Sequence, residues 1–222
     1  MSYFITPNYS VAFIPKSGCS TISRAVIKAF QTEEELLITS ASYPVGKNPD
    51  NSMWQGFVKR EKYPSKPILA MIRNPIERFR SAMAQFHALD VNTVIDSLIN
   101  GSKFVSGTVR AREINASTNA HFKPQIMWVD ANTKLYKFPE HVNEAAVEIG
   151  FILPLPQINA ANFTKPTLDE QQTAILESYY AEDILLYNSI VLPGIITGQV
   201  WSQYSPPPEP VVDEVDEMLS NS

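Results

Sequence analysis

Two short stretches carry residue types at spacings suited to holding an anion. The first is Lys16-Ser17-Gly18-Cys19-Ser20-Thr21. Lys16 supplies a full positive charge, Ser17, Ser20 and Thr21 supply hydroxyl donors, and Gly18 lets the backbone approach a ligand closely. A helix that starts in this loop leaves its first backbone N–H groups unpaired, and its dipole favours negative charge there. The loop is therefore a candidate phosphate cradle. It departs from the nucleoside-triphosphate pattern G-x-x-x-x-G-K-[ST], because the lysine comes first and a single glycine follows. The second stretch is Arg73-Asn74-Pro75, with Arg78 and Ser81 behind it. Arg73 at a strand end and Ser81 two turns into the next helix can converge on one anion.

The elements that must position these groups follow from periodicity. Val11 to Ile14 is an apolar run stopped by Pro15, and Ile22, Ala25, Val26, Ala29 and Phe30 then recur at helical spacing. Ile68 to Ile72 reads as a strand buried on both faces. Asn74 is an N-cap, Pro75 a first helical residue, and Ile76, Phe79, Met83 and Phe86 form one apolar stripe. Ser81 is expected on the opposite face. Two strand-loop-helix units, each with anion ligands at its strand's carboxyl end, predict an open α/β sheet, whose ligands bind at that edge.

Taken together, PKSGCST (15–21) and IRNPIERFRSA (72–82) resemble the paired nucleotide-binding signatures of the sulfotransferases. The first is similar to their 5′-phosphosulfate loop and the second to their 3′-phosphate motif. The form R-N-P-x-x-R-F-x-S is nearest to the carbohydrate sulfotransferase branch. His121-Phe122-Lys123-Pro124-Gln125 resembles an H-x-x-P-Q element of that branch, and Tyr180 to Tyr187 resembles its Y-x-x-D-x-x-x-Y helix. The likeness touches residues 11 to 190 in patches.

The resemblance implies a single P-loop-like domain over residues 1–204, with a central parallel sheet flanked by helices. It implies a PAPS-dependent enzyme, PAPS being 3′-phosphoadenosine 5′-phosphosulfate, with PAP as the product nucleotide and no metal. Lys16 would stabilise charge on the leaving phosphate oxygen. Lys16, Ser17, Gly18, Cys19, Ser20 and Thr21 would hold the 5′-phosphate; Arg73 and Ser81 would bind the 3′-phosphate, with Lys165 and Arg78 at the same end. His121 is the expected base for the acceptor hydroxyl, an acceptor-binding role being its alternative. Glu113 and Glu35 are fallback bases. The acceptor is expected to be a glycan or another hydroxyl compound. A nucleotide or small-molecule kinase, or a catalytically inactive nucleotide-binding module, are the competing readings. Against the kinase, no His/Cys/Asp/Glu cluster has the ligand spacing that a magnesium site would use.

Composition bounds the setting. The 222 residues suit one substantial domain, and 44% apolar content is ordinary for a globular chain. The 18 basic residues face 23 acidic ones, a net charge of -5. Glu209, Asp213, Glu214, Asp216 and Glu217 lie in a proline-rich tail, 205–222, that reads as disordered. The body is thus electrically balanced, which gives no basic footprint for nucleic acid. Cys19 is the single cysteine, so an internal disulfide is impossible, and no histidine lies beside it to favour a nucleophilic role. No signal peptide or membrane-length span is legible, and a cytoplasmic enzyme is expected.

Further along, Asp90 and Gly101 are expected to bound a helix, 102–120 to form a substrate-facing loop, and 134–138 a strand. The helix after Thr167-Leu168-Asp169-Glu170, read as a capping box, is expected to run to about Ile190 with a break near Ala181.

Overall fold

The computed structural model describes residues 3–19, 21–22, 60–61, 64–86, 90–107, 113–151 and 164–196. Its centre is a five-stranded sheet, spatial order β3-β1-β2-β4-β7. The strands are β1 (Tyr3–Ile5), β2 (Ser10–Ala12), β3 (Arg60–Glu61), β4 (Ile68–Arg73) and β7 (Lys134–Phe138). β2, β4 and β7 run parallel, whereas β1 is antiparallel to both β2 and β3. The sheet is therefore mixed: the expected central parallel part is β2, β4 and β7, and β1 beside it runs antiparallel. Thr6 to Tyr9 make a tight turn in which the Thr6 hydroxyl and the Tyr9 backbone bond each other, so β1 folds straight back as a hairpin. A three-residue strand is too short to show a period, and the sequence gives no warning of it.

Alternation along β4 builds the core on both faces of the sheet. Ile68, Ala70 and Ile72 pack with Leu135, Trp128, Leu186 and Ile190 on one side. Leu69 and Met71 pack with Phe4, Val11, Ile22, Tyr136 and Ile149 on the other. A third cluster joins Phe79, Met83, Leu98, Phe104, Phe122, Leu176 and Tyr180.

That third cluster is made by the helices. α1 (Pro75–Phe86) starts as expected, the Asn74 side chain accepting from the backbone N–H groups of Ile76 and Glu77. Its far face is only partly solvated, since Arg78 and Ser81 are both buried. α2 (Val91–Asn100) has the expected Asp90 cap and ends at Gly101, whose φ of 71° is left-handed. The stretch expected to be a loop contains a hairpin, β5 (Lys103–Val105) with β6 (Glu113–Asn115), pinned by the inward Phe104 and Ile114. A single 3₁₀ turn (Gln125–Trp128) precedes β7, and α3 (Val142–Glu148) follows it. α4 (Glu170–Tyr179) and α5 (Ala181–Ser189) meet at Tyr180, where the break was expected, and lead into the small pair β8 (Ile190–Leu192) and β9 (Ile195–Ile196). The capping box at α4 is Asp169 with Gln172, two residues later than the sequence pattern places it. A carboxylate at the cap outcompetes a threonine hydroxyl for the free backbone donors.

Among the described residues no helix is long and apolar enough to cross a membrane. Most of the first helix, Ser20, Glu35 and the tail lie outside the described residues.

Candidate active site

The two candidate anion stretches meet at the carboxyl ends of β2 and β4. These strands are parallel neighbours, so their following loops leave from one rim. β2 ends early, and residues 13–18 fold across the end of β4. The Ser17 N–H donates to the Ile14 carbonyl (3.2 Å), and Cys19, Thr21 and Ile22 are already helical, the Ile22 N–H donating to the Gly18 carbonyl (3.0 Å).

Two residues of this turn have left-handed backbone, Lys16 at φ 67° and Gly18 at φ 80°. At Gly18 the reason for glycine is steric as well. An added Cβ would lie 2.6 Å from Cδ2 of Phe138, at the end of β7, and 2.9 Å from Cε of Met71. Lys16 adopts this conformation against its own preference, which costs about 1–2 kcal/mol. The Arg73 guanidinium holds it there by donating from Nη1 to the Lys16 carbonyl (3.0 Å).

Gln125 ties the two stretches together. It is fully buried, and its Oε1 accepts from the Ser17 hydroxyl (2.7 Å) and from the Arg73 N–H (3.0 Å). Its Nε2 donates to the Arg73 carbonyl (2.7 Å). Gln125 thus serves the end of β4 as a missing strand would, at a level where β2 has already departed. Asp183 on α5 fixes Gln125 in turn, accepting from the N–H groups of Gln125 (2.7 Å) and Ile126 (2.9 Å). Burial pushes the Asp183 carboxyl up, and these two N–H donors and Arg78 offset part of that rise. Tyr180, one turn earlier, donates its hydroxyl to the Phe122 carbonyl (2.6 Å). The elements resembling H-x-x-P-Q and Y-x-x-D are therefore joined to each other and to the loop.

Arg78 completes this brace and is not available to a ligand. Its side chain is fully buried, and it donates to the carbonyls of Pro15 (Nε, 3.0 Å), Lys123 (Nη1, 2.8 Å) and Ala120 (Nη2, 2.9 Å). Its sequence-derived placement at the 3′-phosphate end is corrected on that ground: the guanidinium fork is spent on backbone.

What faces the rim is a gathering of cations. The Lys16 ammonium donates to Gln85 Oε1 on α1 (3.0 Å), a partner that neutralises no charge. Burial lowers its pKa, the nearby Arg73 and Lys165 charges lower it further, and Cys19 opposes them. Arg73 lies 5.6 Å from the centre of the Phe138 ring and is likewise lowered, chiefly by burial. Lys165 pairs with Glu77 (2.8 Å), whose other oxygen takes Arg80. Burial acts to raise the Glu77 carboxyl, but hydrogen bonds from Lys165 and Arg80 hold it below the ordinary value. Ser81, one turn beyond Glu77, is 6% exposed.

His121 stands beside this group, half-buried, its ring edge-on to Phe86 with centroids 5.0 Å apart. Burial, and then the charges of Lys16 and Arg78, lower its pKa to about 4. Its Nδ1 is 3.0 Å from Oδ1 of Asn119. The fallback base Glu113 instead pairs with Lys103 on the exposed hairpin (3.3 Å). Trp128 and Tyr180 pack in the core, and His141 is the residue before α3.

Sequence reasoning missed Gln85, Asn119 and Glu77. Gln85 follows Ser81 by four residues on α1, which is a signal for a shared face. Asn119 two residues before His121 is an Asx-turn spacing. Compared with models of protein families, with curated proteins and with solved structures, the chain has no match.

Proposed function

We propose that this chain is a PAPS-dependent sulfotransferase on a P-loop-like fold, moving a sulfuryl group from donor to an acceptor hydroxyl, on a carbohydrate in the first instance. The observation that carries this reading is the convergence of Lys16 and Arg73 on one rim, with the Arg73 guanidinium bonded to the Lys16 carbonyl. Lys165 and His121 are close enough to Lys16 for the charges to be felt. Glu77 takes Lys165 and Arg80, while the Lys16 ammonium meets the neutral Gln85 side chain; partly buried cations with lowered pKa values mark a candidate anion site. A nucleotide with a phosphate at each end of its ribose suits two such positions better than a single phosphate does.

The roles follow from the chemistry. In this reading Lys16, the backbone N–H groups after Ser17 and the Ser20 and Thr21 hydroxyls serve the 5′-phosphosulfate; Arg73, Ser81 and Lys165 serve the 3′-phosphate. The Ser17 hydroxyl donates to Gln125 and its N–H to the Ile14 carbonyl, so Ser17 shapes the loop and is not a phosphate donor. In the transfer, the acceptor oxygen forms a bond to sulfur as the bond from sulfur to the bridging phosphate oxygen breaks. The electron pair stays on that oxygen, where the Lys16 ammonium offsets the growing charge. The acceptor proton goes to Nε2 of His121. With its pKa near 4 the imidazole is neutral at neutral pH and able to accept. An anionic donor beside Lys16 offsets one cause of that depression and strengthens the base.

The test is transfer of labelled sulfate from PAPS to a panel of hydroxyl acceptors without added metal, with calorimetry of PAP binding alongside. Lys16→Ala is expected to lose at least roughly 100-fold in transfer rate while PAP still binds. ATP turnover with magnesium and no PAP binding would replace this reading with a kinase. PAP binding with no transfer to any acceptor would replace it with an inactive binding module.

A further inference from the structure

We infer that Asn119 is a positioning residue that holds the His121 imidazole as its Nδ1–H tautomer, leaving the lone pair on Nε2 for the acceptor proton. The inference deepens the proposed function, since it matters to catalysis only if His121 is the base.

The geometry fixes each atom in turn. The His121 backbone N–H lies 2.9 Å from one side-chain atom of Asn119. A backbone N–H can only donate, so that atom is the amide oxygen, not the nitrogen. The same oxygen lies 3.0 Å from Nδ1 of the ring. Oxygen facing nitrogen at that distance requires a proton between them, and this oxygen has none to give. Nδ1 therefore carries the hydrogen, and in the neutral ring Nε2 carries the lone pair. Asn119 is itself held in a turn: its N–H donates to the carbonyls of Asn115 (3.1 Å) and Ala116 (3.3 Å), and its carbonyl accepts from Phe122 (3.0 Å) and Lys123 (3.1 Å). Phe86 packs edge-on against the ring and opposes its rotation. The arrangement does for a neutral histidine what a carboxylate does in a triad, without adding a negative charge beside an anionic donor.

The experiment is a long-range proton–nitrogen correlation spectrum of the full chain, labelled with nitrogen-15 at histidine, near pH 8. His121→Gln serves only to assign the signal among the three histidines. The wild type is expected to show His121 with its proton on Nδ1. Asn119→Ala is expected to move it to the Nε2–H form favoured by solvated imidazole, and Asn119→Asp to retain Nδ1–H. An Nε2–H ring in the wild type, or an unchanged Nδ1–H ring in Asn119→Ala, overturns the inference. The wild-type spectrum can do so alone, so a variant that failed to fold would not shelter the idea. In the transfer assay Asn119→Ala is expected to lower kcat roughly tenfold or more, within the range general-base catalysis supplies, with the KM for donor unchanged. A rise in KM at constant kcat would also overturn it. Absence of transfer by the wild type would remove the proposed function and leave the tautomer to be decided by the spectrum.

Discussion

Replacing Arg78 by methionine separates a structural arginine from a nucleotide ligand. The substitution keeps most of the apolar stem and deletes the guanidinium, which donates to the Pro15, Ala120 and Lys123 carbonyls. Hydrogen bonds to a charged group contribute roughly 1.5–3 kcal/mol each, so three of them set a gross loss of about 4–9 kcal/mol. Against this, the variant no longer desolvates a full charge in a fully buried position, a saving of several kcal/mol. It also leaves the buried Asp183 without a nearby positive charge. The net expectation is a destabilisation of about 3–5 kcal/mol. At roughly 2–4 °C per kcal/mol for a chain of this size, that is a fall in Tm of about 6–20 °C. Urea unfolding followed by circular dichroism reads it as a lower midpoint at an unchanged slope. Arg78→Lys keeps the charge but not the fork, and is expected to fall between the two. Should Arg78→Met unfold within about 1 kcal/mol of the wild type yet fail to bind PAP, the brace argument is wrong and the guanidinium is a ligand.

Three further perturbations test other parts of the arrangement. His121 is neutral in the folded chain and charges in the unfolded one as pH falls from its ordinary 6.5 towards about 4. The unfolded state binds the extra proton in that window, so stability is full above it and drops by up to about 3 kcal/mol across it. Urea midpoints measured against pH should show this slope diminished in His121→Gln, and parallel profiles would contradict it. Gly18→Ala forces a Cβ to 2.6 Å from the Phe138 ring at a φ of 80°, and should cost about 1–3 kcal/mol and weaken PAP binding in calorimetry. A silent substitution there would mean the loop is not held as described. Glu77→Gln releases Lys165 from its ion pair and should tighten PAP roughly fivefold at low salt, about 1 kcal/mol; weaker binding would place the 3′-phosphate elsewhere.

The sequence on its own determined the local grammar. Asn74 and Pro75 open a helix, and Asp90 and Gly101 bound another, because caps act on neighbouring backbone groups through contacts within a few residues. Ile68 to Ile72 reads as buried because a strand covered on both sides has no polar face to show. The separation of 15–21 from 72–82 by a crossover also anticipates parallel strands and a common rim. Tertiary structure alone decided which of the polar residues at that rim are spent on holding the fold. Arg73, Arg78 and Arg80 look alike in the sequence, yet one clamps the loop and stacks on Phe138, one is consumed by three carbonyls, and one pairs with Glu77. The carbonyls that consume Arg78 come from residues 42 to 63 positions away. Likewise Gln125 reaches Ser17 across 108 residues and Asp183 across 58. Such pairings depend on where separate segments are brought in space, and a donor's fate is set by the acceptor it meets there, which no spacing along the chain encodes.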